Sequence, residues 1–264
     1  MPEGDTVWLT ARRLHDALAG HVVTTFDLRV PDLATSDLTG DTMREVVARG
    51  KHILMRFGGG LTLHSHLRMD GAWYLVAAGR RPHRHPEHMV RARIGNAAWL
   101  ATGYRVHDLR IVATADEHEL VGHLGPDLLG ADWDVDEALR RLTALPDAPI
   151  GEALLDQRNL AGIGNLYKSE SLFVERVNPW TRIADVADLR RLVTTAQRLI
   201  RANRDHPEQT TTGMPQRGHQ HWVYQRGGAA CRRCGTQIRR ADQGEPPRLR
   251  STYWCPTCQP GSGA

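Results

Sequence analysis

Apolar positions near the start of the chain recur at helical spacing. Val7, Ala11, Leu14 and Leu18 share one side of a stretch from Thr6 to Leu18, and Gly20 predicts its end. The period then shortens towards two. Strands are expected within 21–30 and 44–76, at Val22-Val23, Val46-Val47, Ile53–Phe57, Leu61–His64 and Trp73–Val76, with a turn at Gly58-Gly59-Gly60. Residues 79–88 read as a polar loop, and further strands are expected at 89–94, 97–101 and 104–113. Between Gly122 and Asp134 the pattern changes. Gly125-Pro126-Asp127 predicts a turn, Asp132 or Asp134 can cap a helix, and helical periodicity runs through 135–145, 149–158, 164–175 and 185–204. Residues 205–220 read as a loop.

A strand-rich half led by one helix, then a helical half, predicts an α+β chain with an N-terminal β-sandwich. The expected division is a sandwich over 1–120, a linker over 121–132, a helical domain over 133–220, a cysteine-bearing hairpin over 221–259 and a disordered tail over 260–264. Composition agrees with a folded core, at 41% hydrophobic residues. No apolar run reaches membrane-spanning length, and Glu3 and Asp5 stand where a signal peptide would be basic. A soluble, cytoplasmic monomer with no membrane partner is expected.

Charge sharpens the picture only where it is uneven. The net charge is +4, yet from residue 201 onward ten arginines face four carboxylates, interleaved with Trp222, Tyr224, Tyr253 and Trp254. Such an end fits a polyanion, nucleic acid above all, or else a solvated basic tail. Of the 34 basic residues only Lys51 and Lys168 are lysines. Arginine stays protonated in proteins, so a retained lysine either survives by chance or does something arginine cannot. Lys51, in Arg49-Gly50-Lys51-His52 at the entry to an apolar strand, is positioned to hold an amine rigidly.

Four motifs carry chemistry. Cys231-Arg-Arg-Cys234 and Cys255-Pro-Thr-Cys258, twenty residues apart, are all the cysteines in the chain and suit one tetrahedral zinc ion, Zn2+, in a structural role. Two disulfides or an iron site are the alternatives. Gly162-Ile163-Gly164-Asn165 predicts a helix start with Asn165 as its cap, able to receive a phosphate, or a plain helical hairpin. In His64-Ser65-His66-Leu67-Arg68-Met69, Met69 reads either as a wedge for a base stack or, with Leu67, as ordinary core. His83, His85 and His88 lack a carboxylate or cysteine partner and are not read as a metal site. Last, Met1-Pro2-Glu3 reads as a stiffened terminus or, once Met1 is trimmed, as a secondary amine beside a carboxylate, able to form a Schiff base.

Together these motifs resemble the formamidopyrimidine-DNA glycosylase and endonuclease VIII family. The resemblance runs through Pro2-Glu3-Gly4, Gly50-Lys51-His52, His66-Leu67-Arg68-Met69, Gly162-Ile163-Gly164-Asn165, Val223-Tyr224 and Arg250-Ser-Thr-Tyr-Trp-Cys255. It is greatest towards the actinobacterial endonuclease VIII-like branch. The resemblance implies a helix–two-turns–helix domain with a zinc finger, DNA bearing oxidised or abasic lesions as partner, and base removal followed by β,δ-elimination. A non-catalytic binder of damaged DNA is the alternative. It further implies Pro2, Glu3, Lys51 and Arg250 as catalytic residues, and His66, Arg68, Met69, Arg110, Asn165 and Arg250 as DNA contacts. Three positions depart from the family. Thr6 stands where a second glutamate is usual, Asp108-Leu109-Arg110-Ile111-Val112 lacks the proline and phenylalanine of the formamidopyrimidine branch, and His66-Leu67-Arg68 replaces a Gln-Leu-Tyr wedge.

Overall fold

A computed structural model describes residues 2–80, 86–247 and 249–261. His83 and His85, Arg248 and the last three residues of the expected tail lie outside the described residues. The chain divides into two compact units, the first ending at His123 and the second beginning at Leu124.

Among the described residues of the first unit, helix α1 (Gly4–Leu18) leads eight strands: β1 (Thr25–Leu28), β2 (Met43–Arg49), β3 (His52–Phe57), β4 (Leu61–His66), β5 (Ala72–Ala77), β6 (Val90–Gly95), β7 (Trp99–Tyr104) and β8 (Asp108–Ala113). They form two antiparallel sheets, ordered β1-β6-β7-β5 and β2-β3-β4-β8. One core holds both sheets and α1 together. Leu28, Trp73, Ala92, Ile94 and Ala101 meet Met43, Val46, Ile53, Met55 and Leu63, and α1 adds Val7, Ala11, Leu14 and Leu18. Every second residue of β3, β4 and β8 points into that core, so the intervening residues share the outer face. The rows on that face are His52, His66 and Asp108, then Leu54, His64 and Arg110, then Arg56, Thr62 and Val112.

That outer face is covered at one end. Glu117, just before the short helix α2 (His118–Val121), accepts two hydrogen bonds from Arg56, at 2.8 and 2.7 Å, and one from the Thr62 hydroxyl at 2.6 Å. A carboxylate bound this fully tolerates its burial.

Two strand expectations are corrected here. Val22-Val23 is no strand. Val22 makes one isolated bridge to Thr42 and is 52% exposed, and the ladder starts at Thr25. The stretch 104–113 is broken, because Arg105 takes a positive φ of 53° after Tyr104 and β8 begins afresh at Asp108.

The second unit contains α3 (Val135–Thr143), α4 (Ile150–Ala153), α5 (Asn165–Val174), α6 (Leu189–Asn203) and the antiparallel hairpin β9 (Arg239–Gln243) and β10 (Arg250–Trp254). Asp134 caps α3 through the amides of Asp136 and Glu137, and Asp188 caps α6 through that of Arg191. The helix expected over 149–158 is one short turn. Asp156 turns its carboxylate onto the Arg158 amide at 2.9 Å, and that local bond replaces the helical one. α5 is buried on all sides from Asn165 to Phe173, polar residues included. A buried helix must find partners for such side chains, and those partners shape the site of this unit.

Candidate functional site

In the first unit Pro2, Glu3, Lys51, Arg68 and Met69 fall on short connections, and His66 and Arg110 on strands β4 and β8. Glu3 precedes α1 as its N-cap residue and is 1% exposed, and its carbonyl receives the Val7 amide at 3.0 Å. Pro2, beside it, is half-buried. Asp5, one turn into the helix, is also 1% exposed. Lys51 and Gly50 form the whole connection between β2 and β3, since Arg49 and His52 pair across it. Gly50 supplies the positive φ of 57° that so short a hairpin requires. With core strands on both sides, this turn fixes where the Lys51 backbone can be.

Beside that turn lies a group with little trace in the sequence. His52 Nδ1 and His64 Nε2 are 2.7 Å apart, and the His52 ring stands 4.9 Å from His66 and 6.5 Å from His123, centroid to centroid. Burial, then the crowding of imidazoles that would repel one another if charged, pushes the His52 pKa down to about 3, and burial followed by the nearby Arg68 pushes that of His66 to about 4. Lys51 is near enough to contribute to the depression at His66. His64 is shifted the same way, chiefly by burial. These imidazoles are therefore neutral near pH 7 and act as hydrogen-bonding groups without charge. The one signal in the sequence was spacing. His64 and His66 alternate on one strand, and His52 opens its neighbour.

The loop leaving β4 separates its two apolar residues. Leu67 is 2% exposed and belongs to the core, whereas Met69 is 64% exposed. Arg68 between them has φ 53°, its amide donates to His66 Nδ1 at 3.0 Å, and its guanidinium pairs with Asp108 at 2.6 Å. Gly71 closes the turn, and a Cβ there would lie 2.6 Å from the Leu67 carbonyl oxygen. A methionine is thus presented to solvent by a turn that is bonded on both sides. Arg110 is exposed on the same sheet face as His64.

In the second unit, Asn165 and the strand bearing Arg250 are brought together. Asn165 is not the cap of α5. Gly164 takes the extended cap conformation, and Asn165 is already helical. Its side chain is used at long range instead, with Nδ2 donating to the Ser251 carbonyl at 2.6 Å. Asn165 is 7% exposed, and its Oδ1 has no hydrogen-bond partner. Arg250, the neighbour of Ser251, is exposed. Gly162, with φ 94°, allows the turn into α5, and Gln157 braces it from both ends, accepting from the Gly162 amide and donating to the Ile163 carbonyl.

The four cysteines form the one group among the described residues that could hold a metal ion, their ligand atoms lying within 4.8 Å of one another. Cys234 and Cys255 Sγ are 3.4 Å apart, and Cys231 and Cys258 Sγ 4.0 Å. Zn–S bonds of about 2.3 Å give a tetrahedral edge of about 3.8 Å, so the donor set fits a closed four-thiolate site. Behind it, Phe173 stacks on Trp222 at 5.7 Å, and the Arg233 guanidinium lies 4.4 Å from the Phe173 ring.

Sequence reasoning also missed Glu170. It is fully buried on α5 and accepts the amides of Trp222, Val223 and Tyr224 at 2.7–2.8 Å, together with the Thr211 hydroxyl. One carboxylate thereby ties the segment leading into the finger to α5.

Comparison with known proteins agrees with this arrangement. Residues 1–115 match the formamidopyrimidine-DNA glycosylase N-terminal domain, and residues 124–211 match its helix–two-turns–helix domain. A probable endonuclease 8 2 of Streptomyces coelicolor is 57% identical over 99% of this chain and 95% of its own length. The protein named DNA-(apurinic or apyrimidinic site) lyase Nei2 of Mycolicibacterium smegmatis is 43% identical over 99% of this chain and the whole of its own. The solved complex of the Lactococcus lactis formamidopyrimidine-DNA glycosylase with DNA containing an abasic site shares the fold, with a TM-score of 0.80 at 22% identity, over 98% of this chain and all of that one. A buried Glu3 at the head of α1, a lysine in the β2–β3 turn and a four-cysteine hairpin docked on α5 thus sit within matches that span nearly the whole chain, which belongs to the formamidopyrimidine-DNA glycosylase and endonuclease 8 family.

Proposed function

We propose that this protein is a bifunctional DNA glycosylase and abasic-site lyase of base excision repair, acting on oxidised bases, pyrimidines in the first place. The observation that carries the reading is the Pro2-Glu3 pair, in which a carboxylate almost fully withdrawn from solvent at the head of α1 adjoins the residue whose nitrogen becomes a secondary amine once Met1 is removed. The names of the relatives point the same way.

The damaged base is reached by flipping its nucleotide out of the duplex, which costs a few kcal/mol. Met69, exposed on its braced turn, fills the vacated stack, with His66, Arg68 and Arg110 contacting the surrounding strand. The Pro2 nitrogen attacks C1′, losing its proton as the C–N bond forms, and the base departs. Glu3 protonates the ring oxygen, the sugar opens, and C1′ becomes an iminium. A secondary amine cannot shed this positive charge, so the C2′ hydrogens turn acidic. Loss of one C2′ proton expels the 3′ phosphate, loss of a further sugar proton expels the 5′ phosphate, and water then hydrolyses the iminium to free Pro2. Lys51 acts as proton donor or phosphate anchor beside neutral imidazoles. In the second unit, Asn165 and Arg250 bind backbone phosphates, and Arg250 steadies the departing one.

We assign zinc to Cys231, Cys234, Cys255 and Cys258. Four protein thiolates leave no open position for substrate, so the metal holds the hairpin in shape.

The test is borohydride trapping on DNA carrying an abasic site. The wild type gives a covalent adduct, and Pro2→Gly reduces it sharply. Tight binding with no wild-type adduct would favour a non-catalytic binder of damaged DNA. Mass spectrometry of active protein checks that Met1 is absent.

A further inference from the structure

The mechanism uses Lys51 and leaves the second lysine without a task. Lys168 lies one helical turn after Asn165 on α5 and is fully buried. Its Nζ donates to Thr252 Oγ1 at 2.6 Å, and Thr252, also fully buried, passes its own hydrogen to Gln243 Oε1 at 3.1 Å. Gln243 is 4% exposed and donates to the Pro179 carbonyl at 2.9 Å. The space around that amide is tight. A Cβ on Gly151 would lie 2.5 Å from Gln243 Oε1. A buried polar chain therefore runs from α5 through β10 and β9 and back to the turn that follows α5.

This chain has a particular place along the hairpin. The metal end of the finger has its own tethers to the far end of α5. Gln259 donates to the Val177 carbonyl at 2.8 Å, Asn178 donates to the Gln259 carbonyl at 3.1 Å, Trp180 meets Trp254 edge-on at 4.7 Å, and Arg233 donates to the Phe173 carbonyl. The end of β10 that carries Arg250 is instead held at Ser251 by Asn165 and at Thr252 by Lys168. The Arg250 guanidinium bonds to the Leu249 carbonyl beside it, at 2.8 Å, while its backbone pairs with Gln243, so the side chain takes its place from the strand that the hairpin ladder and these two anchors hold. Lysine and arginine are not interchangeable in such a place, because a planar fork with five donors asks for more room and more acceptors than one nitrogen on a slim stem.

We propose that Lys168 is a positioning residue for Arg250. By pinning Thr252 to α5 it fixes Arg250 relative to Asn165, so that the two engage phosphates of one DNA strand as a unit. The inference rests on the DNA-repair reading of the site.

The experiment measures binding to a duplex carrying a tetrahydrofuran abasic-site analogue across a salt series. It compares wild type, Lys168→Met, Arg250→Ala and the double variant, with zinc content recorded for each. Lys168→Met keeps the stem and removes the donor. It is expected to retain zinc, to bind about tenfold more weakly, and to flatten the salt dependence by about one phosphate contact, as Arg250→Ala does. The double variant should bind no worse than Arg250→Ala alone. Thr252→Val breaks the same link from the other side and decides the matter should Lys168→Met fail to fold. Wild-type affinity and salt slope in a folded variant, or losses that add in the double variant, would overturn the positioning role while leaving the repair reading intact. A wild type that does not bind the duplex would overturn both.

Discussion

The two units bury polar groups by different means. In the first, Glu3, Lys51, His52, His64 and His66 come from a helix start, a two-residue turn and alternate positions on paired strands. Strand register and turn geometry place them, and both follow from residues close in sequence. In the second, buried polar residues of α5 reach partners far along the chain. Asn165 binds Ser251, Lys168 binds Thr252, and Glu170 binds Trp222, Val223 and Tyr224. In the first unit these residues sit on elements that local geometry fixes. In the second, the contacts that hold the hairpin to α5 are, under the proposal above, also what would aim Asn165 and Arg250.

The sharpest way to break this contrast is through Glu3. Glu3→Gln keeps shape and removes the proton, so glycosylase activity should fall by roughly 10²- to 10⁴-fold in single-turnover assays. Melting temperature and DNA affinity should stay near wild type. A large loss of stability instead would show that this carboxylate is structural, like Glu170.

Glu170→Ala should give the opposite pattern. It strands two buried amides and a part-buried one, the buried ones at about 1–3 kcal/mol each, so at least about 2 kcal/mol of stability should go in denaturant unfolding. Protection of the 222–224 amides from hydrogen exchange should be lost with it. Unchanged protection would mean that the finger approach is held by packing alone.

Acid should separate the units next. An unfolded histidine takes up a proton near pH 6.5, while folded His52 and His66 resist until about pH 3 and pH 4. The unfolded state then binds more protons, so stability is complete above pH 6.5 and declines as pH falls through that window. At pH 5 the loss should be roughly 2 kcal/mol in total after allowance for partial exposure, and it should report on the sandwich. Paired replacement of His52 and His66 by Gln should remove most of the slope, with His64 carrying the remainder. A slope that persists at full size would place the acid response elsewhere.

The smallest stability effect is expected at Met69. Met69→Ala should change folding free energy by no more than about 0.5 kcal/mol, because the side chain is largely in solvent. Incision of damaged duplex should nevertheless slow severalfold, with little change on single-stranded substrate. Equal slowing on both would argue against a wedge.

Legibility from sequence followed the same division. The helix on Val7, Ala11, Leu14 and Leu18 extends only two residues beyond its expected start, and β3 and β4 lie where alternation predicted them. Val22-Val23 and 104–113 misled because β-prone residues formed a bridge and a turn there, which propensity alone does not distinguish. Asn165 reads as a cap because cap preference is local, whereas its amide is used eighty-six residues away. The 149–158 helix failed at Asp156, whose side chain competes for the backbone.

The four-cysteine spacing, the Pro2-Glu3 start and the placing of one of only two lysines at Lys51 are one-dimensional signals, because a spacing, a terminus and a two-residue turn need no distant partner to be defined. The neutral imidazole group, the separation of Leu67 from Met69, the Glu170 tether and the Lys168–Thr252–Gln243 chain exist only once strands pair and the hairpin docks on α5. A buried polar side chain must find its hydrogen-bond partner wherever the fold brings one near, and that choice is made in three dimensions.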